Sequence, residues 1–293
     1  MSRDNSKRLG DHPSSPLPPK RVTEVPHHTG FQNSQNSSLL DIAANLPPDS
    51  VILPSAGRFY DETSTLHGKT EIEIKQLTAR KEDILSSPEL IKKGVVFDKL
   101  LESIIIDKTI NPRDLLLGDR NAILLKSRIN AYGADYSVNM QCSNCGKVTQ
   151  HDFDLTKCNF EFEHPDIEGL EAIPGGYSLK LPKTGVTVNL KLLTVSDSMF
   201  LAEQERLKKK NGLESSPVID FLQRVVVSAD GHTGDLLNRF LQVLPAYDTR
   251  KIRTTYSKII PDVQTKQTVQ CSSCSWESEK EVWFELNFFW PDI

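Results

Sequence analysis

Two short cysteine pairs, Cys142-Ser-Asn-Cys145 and Cys271-Ser-Ser-Cys274, constrain this chain more than any other feature, and residues 146–270 separate them. Segments with strand character flank them: DYSVNMQC and VTQHDFDL around the first, SEKEVWFEL after the second. A C-x-x-C used in thiol redox chemistry sits at a helix N-terminus, which lowers the thiolate pKa. A pair at a turn between two strands instead points two sulfurs at one ion. Two thiolates cannot close a tetrahedral structural zinc site, and four can. The spacing therefore predicts one structural zinc per chain, held by Cys142, Cys145, Cys271 and Cys274 and shared between distant parts of the sequence. Disulfides and metal-free thiols are the alternatives; the first needs an oxidising compartment. Cys158, the fifth cysteine, has no matching partner and reads as a buried free thiol.

The order of elements around the pairs predicts an α+β fold built from an internally duplicated unit of strand, helices and C-x-x-C hairpin. IEIKQLT (Ile72–Thr78) and VNLKLLT (Val188–Thr194) share alternating apolar residues, a Lys and a closing Leu-Thr. FDKLLESI (Phe97–Ile104) and IDFLQRVV (Ile219–Val226) carry similar amphipathic patterns. Further helices are expected at Ala79–Ser86, Gly118–Tyr132, Ser196–Lys210, Val218–Ala229, Asp235–Leu244 and Thr249–Ile259. The expected organisation is a polar arm over residues 1–47, a first repeat over 48–162, a turn-rich connector holding a short hairpin over 163–187, and a second repeat over 188–293.

Composition narrows the function classes. The chain has 35 basic and 39 acidic residues, a net charge of −4, and 38% hydrophobic residues. That balance lacks the strongly basic footprint of a dedicated nucleic-acid or membrane-surface binder. No apolar run approaches the ~18 residues of a membrane span, and no apolar core follows the N-terminal basic residues, so no secretory signal is expected. Residues 1–37 are rich in Pro, Ser, Asn and His and are expected to order only against a partner, if at all. Phosphate-binding glycine loops, a nucleophile elbow and an H-E-x-x-H pattern are absent, so no catalytic residue is assigned. Asp152, Asp154 and His151 read as a solvated strand face, and Lys208–Lys210 as a helix end where cations offset the macrodipole. All three tryptophans fall at Trp276, Trp283 and Trp290, with Phe284, Phe288 and Phe289 among them. On an extended strand these residues line both faces, which calls for cover from the chain's own core or from a partner.

VILPSAGRFY near the start, the IEIKQLT strand, and DRNAILLKSRINAYGADY running into a C-x-x-C hairpin resemble baseplate proteins of T-even-like tailed bacteriophages, the group of baseplate hub subunits and hub assembly proteins. The resemblance covers roughly residues 48–290 and is strongest over Val51–Leu155. Its most specific part is the Arg128…Tyr132-Gly133…Tyr136…Cys142-x-x-Cys145 run. It implies a non-enzymatic structural or assembly role in a contractile tail, in the virion or in the host cytoplasm during assembly. Other baseplate or tail proteins would be the partners, contacted through the N-terminal arm and the aromatic C-terminal strand. Arg128, Tyr132 and Tyr136 would then be structural, with Arg128 meeting a carboxylate or carbonyl at the helix-to-hairpin junction. The alternative is a zinc-ribbon nucleic-acid-binding regulator. Lys147 alone near the first hairpin, and Glu277 and Glu279 beside the second, give the wrong sign for phosphate.

Overall fold

A computed structural model describes residues 46–160, 162–282, 284 and 286–289. The expected arm therefore lies outside the described residues apart from Leu46 and Pro47, as do Trp283 and Trp290. Within Pro47–Phe289 the elements run β1 (Asp49–Ile52), β2 (Glu71–Ile74), α1 (Ala79–Leu85), α2 (Pro88–Lys93), α3 (Val96–Ile104), α4 (Leu117–Tyr132), β3 (Asp135–Gln141) and β4 (Val148–Asp154). They continue as β5 (Leu170–Ile173), β6 (Gly176–Lys180), β7 (Thr187–Lys191), α5 (Val195–Lys210), α6 (Pro217–Val225), β8 (Val226–Ala229), α7 (Gly234–Val243), α8 (Ala246–Ile259), β9 (Gln267–Gln270) and β10 (Glu277–Lys280). The fold is mixed α and β, as the sequence predicts.

All strand pairing is antiparallel: β1 with β2, β3 with β4, β9 with β10, and a four-stranded sheet in the order β5-β6-β7-β8. The hairpin expected inside residues 163–187 is β5–β6, and β6 continues straight into pairing with β7. The Val218–Ala229 segment is only partly helical. Its last four residues, Val-Val-Ser-Ala, leave α6 as strand β8 against β7, because a β-branched run gains more from a sheet neighbour than from another helical turn.

Several local arrangements recur in the two parts of the chain. Thr78 and Thr194 are the N-cap residues of α1 and α5. Ile105, just past α3, bridges to Ile74 of β2, and Val226, just past α6, pairs with Leu190 of β7. Leu53-Pro-Ser-Ala-Gly57 and Leu181-Pro-Lys-Thr-Gly185 form the turns after β1 and β6. The Leu53 N–H bonds to the Thr70 carbonyl at 2.8 Å and the Leu181 N–H to the Val186 carbonyl at 2.9 Å.

A buried aspartate from the first turn of a later helix, α4 or α8, holds each of these turns. Asp119 of α4 accepts from the Ser55 N–H (2.9 Å), the Ser55 hydroxyl (2.6 Å) and the Tyr60 hydroxyl (2.6 Å). Asp248 of α8 accepts from the Lys183 N–H (2.8 Å), the Thr184 N–H (2.9 Å) and the Thr184 hydroxyl (2.8 Å). Both aspartates are fully buried, and the donors satisfy carboxylates that would otherwise be costly to desolvate.

One apolar core runs through both parts, from Val51, Leu100 and Leu124 to Leu190, Leu222 and Ile252. The two parts approach closely at the start of α4. A Cβ on Gly118 would sit 1.8 Å from the Pro261 carbonyl oxygen, so only glycine fits. Beside it the Asn121 side-chain amide donates to the Asp262 carboxylate at 3.1 and 3.2 Å.

Candidate metal centre

The cysteine hairpins are built by ordinary strand chemistry and finished by a shared turn. After β3 the Cys142 N–H bonds to the Lys147 carbonyl and the Gly146 N–H to the Cys142 carbonyl, both at 2.9 Å. After β9 the Cys271 N–H bonds to the Trp276 carbonyl at 2.9 Å and the Ser275 N–H to the Cys271 carbonyl at 2.8 Å. Both turns need a residue in the left-handed region, supplied by Gly146 (φ 70°) and by Ser275 (φ 56°). The glutamine before each pair repeats as well: Gln141 donates to the Gly146 carbonyl at 3.0 Å and Gln270 to the Ser275 carbonyl at 3.4 Å.

These turns bring together all four cysteines named from the sequence. The four sulfurs lie within 4.8 Å of one another, with Cys142 to Cys274 at 3.8 Å and Cys145 to Cys271 at 3.9 Å. A tetrahedron with Zn–S bonds of about 2.3 Å has S···S edges of about 3.8 Å, so the cluster has the dimensions of a four-thiolate cage. A disulfide needs about 2.05 Å between sulfurs, and all five cysteines are free thiols. Cross-hairpin bonds fix the approach: the Gln267 amide donates to the Asp154 carbonyl at 2.8 Å, and its oxygen accepts from the Asp154 N–H at 3.2 Å.

The electrostatics of the cage favour ionised sulfur at two positions. The Ser273 N–H leads the groups that pull the Cys271 thiol down to about 6, and the Cys145 and Asn144 N–H groups pull Cys142 down. Cys145 receives the Lys147 N–H, yet burial and the three neighbouring sulfurs push it up to about 11. Thiols this close cannot all ionise together without a cation between them. The donor set is soft and thiolate-only, which suits zinc among the divalent ions.

Two residues beside the cage were not assigned to it from the sequence. The Thr149 hydroxyl lies 3.8 Å from the Cys271 sulfur and 3.1 Å from the His151 Nε2. His151 is buried, contrary to its reading as a surface residue, because β4 alternates and turns Thr149, His151 and Phe153 inward together. That alternation was the available signal. Asp152 stays exposed, while Asp154 caps a short 3-10 turn through the Thr156 N–H. Cys158 is buried away from the cage, and burial raises its thiol to about 11. Lys208 does more than offset a dipole: it pairs with the Asp220 carboxylate of α6 at 2.6 Å.

At the junction of α4 with β3, Arg128 donates to the carbonyls of Gly133 (2.8 Å), Phe288 (3.1 Å) and Asp135 (3.4 Å) and stacks over Tyr132. This is the carbonyl clamp expected there. Tyr136 packs on Phe153 and Phe288. The expected C-terminal strand to Trp290 lies partly outside the described residues, and those described do not extend β10. β10 ends at Lys280, and Leu286–Phe288 is a 3-10 turn that lays Phe288 and Phe289 into the chain's own core. These two side chains are therefore closed to a partner, whereas Trp276 at the second cysteine turn is half exposed.

The profile of the family described as T4 bacteriophage base plate protein matches residues 58–290, taking in Asp119, the Arg128 clamp and all four cysteines. The chain belongs to this baseplate family. No curated protein and no solved structure matches it. Membership places the chain among structural proteins of the phage tail. Among the described residues no helix is long and apolar enough to cross a membrane.

Proposed function

We propose that this baseplate-family chain is a non-enzymatic structural or assembly component of the contractile tail, in the class of hub subunits and hub assembly factors, and that one zinc ion locks its fold. The supporting observation is the four-sulfur cage, drawn half from residues 142–145 and half from residues 271–274, inside the span of the family match. Cys142, Cys145, Cys271 and Cys274 would hold the ion as thiolates. It would close a loop spanning nearly half the chain, restrict the unfolded state and contribute directly to folding. Four protein ligands leave no open position for substrate or water, which suits a structural role.

The same reading includes an origin by duplication. The turns at Leu53–Gly57 and Leu181–Gly185, their clamps Asp119 and Asp248, and the two cysteine turns recur in one order, with Arg58–Lys69 as an insertion in the first turn's loop. The N-terminal arm is proposed to contact neighbouring tail proteins. A nucleic-acid role gains little support at the cysteine turns, where Lys147 and Lys280, the latter on the Gln141 carbonyl at 3.5 Å, are offset by Glu277 and Glu279. Mass spectrometry of purified phage tails and of tail-assembly intermediates tests the assignment. The chain is expected in one or both fractions, and absence from both contradicts it.

A further inference from the structure

An open groove of about 810 Å³ runs between α6 and α8, with Pro217, Val218, Phe221 and Ile260 as apolar wall and Arg250 and Arg253 on its rim. Phe221 and Tyr256 meet edge to face at 5.1 Å in its floor. Both arginines are exposed, and neither has an ion-pair partner among the described residues. The one acid of α8, Asp248, is buried and committed to Lys183 and Thr184, so this helix presents uncompensated positive charge.

The corresponding helices of the first part of the chain, α3 and α4, show what such a groove accepts. There Phe97 of α3 precedes the bridging Ile105 by the same number of residues as Val218 of α6 precedes the pairing Val226, one position from the match read in the sequence, and it packs against Phe289 at 6.0 Å. Arg128 of α4, in the place that Ser257 holds in α8, donates to the Phe288 carbonyl. An aromatic segment from the chain's own C-terminal end thus fills the α3/α4 groove, and no described segment fills the α6/α8 groove.

We propose that the α6/α8 groove docks an extended segment of a partner protein that carries adjacent aromatic side chains and flanking carboxylates. The apolar wall takes the rings, and Arg250 and Arg253 take the carboxylates, Arg being suited to forked carboxylate recognition. The proposal deepens the assembly reading and rests on it only for the source of the segment.

Fluorescence anisotropy with a labelled synthetic peptide, Glu-Leu-Asn-Phe-Phe-Trp-Pro-Asp-Ile (this chain's residues 285–293), tests it on the full chain. Saturable binding is expected, weakened about tenfold or more by R250E/R253E, weakened by added salt, and abolished when both phenylalanines of the peptide are replaced by serine. Binding unchanged by R250E/R253E means that the peptide enters the α3/α4 groove instead, and overturns the proposal. No binding, or a wild-type dimer that R250E/R253E dissociates, overturns it too. Both arginines are exposed, so an unchanged melting curve for the variant excludes misfolding. The result is independent of whether the chain is found in tails.

Discussion

The two cysteine hairpins reach the same tip from different scaffolds. β3 and β4 are seven-residue strands with an inward face that packs Tyr136, Thr149, His151 and Phe153. β9 and β10 are four residues each, and β10 buries none of its side chains. Yet the main-chain bonds around Cys142–Lys147 and Cys271–Trp276 agree to about a tenth of an ångström. The difference teaches where the constraint lies. A tetrahedral cage fixes the turn that presents two sulfurs and leaves the length and packing of the strands free to vary. The short hairpin has little apolar burial of its own, so it depends more on the shared cage for its order.

If that comparison is right, the largest effect comes from removing a ligand from either side. Cys142→Ser and Cys271→Ser should each lose the metal and destabilise the chain by on the order of 5 kcal/mol or more, measured by urea unfolding. Hydrogen exchange should show β9–β10 opening more than β3–β4 in both variants. Equal, unchanged protection of the short hairpin would break the comparison.

The buried aspartate clamps sharpen it from the other end of each half. Asp119→Ala strands the buried Ser55 and Tyr60 donors and should cost about 3 kcal/mol, whereas Asp248→Ala leaves the Lys183 and Thr184 donors in an exposed turn, where water replaces the carboxylate, and should cost about 1 kcal/mol. An equal loss for both in the same urea assay would contradict that difference.

A smaller, pH-dependent effect belongs to the start of α5. Asp197 is buried; against that burial, the Thr194 N–H, Lys191 and Arg224 hold its carboxyl below the usual range. A depressed folded pKa contributes stability above the unfolded value near pH 3.9 and loses it as pH falls further. Asp197→Asn should therefore cost about 2 kcal/mol at pH 7, and the gap to wild type should close below about pH 4. Thr78, the counterpart of Thr194, makes no side-chain cap bond, so α1 has no such box to lose.

The sequence made the site legible because cysteine spacing at strand turns has few physical solutions. The helix expected over Gly118–Tyr132 is also legible: of its apolar stripe Ile123 and Leu124 are buried and Ile129 is half-buried, and Gly133 ends it at φ 84°. Other features were hidden for identifiable reasons. Arg58–Lys69 follow the first Leu-Pro-x-x-Gly turn and part it from β2, so the turns Leu53–Gly57 and Leu181–Gly185 match at one spacing and the strands β2 and β7 at another. Val226–Ala229 is an apolar run too short for periodicity to separate helix from strand. The aromatic stretch after Lys280 has the same ambiguity, and within it Leu286–Phe288 forms a turn as Phe288 and Phe289 find cover on Tyr136 and Phe97. The clamps at Asp119 and Asp248 depend on partners 64 or 65 residues away, which no local pattern reveals.

Metal content of the purified full-length chain, by inductively coupled plasma mass spectrometry, tests the central claim most directly. The account predicts one zinc per wild-type chain and none in Cys271→Ser. A zinc-free wild-type protein, or zinc retained in Cys271→Ser, would contradict it.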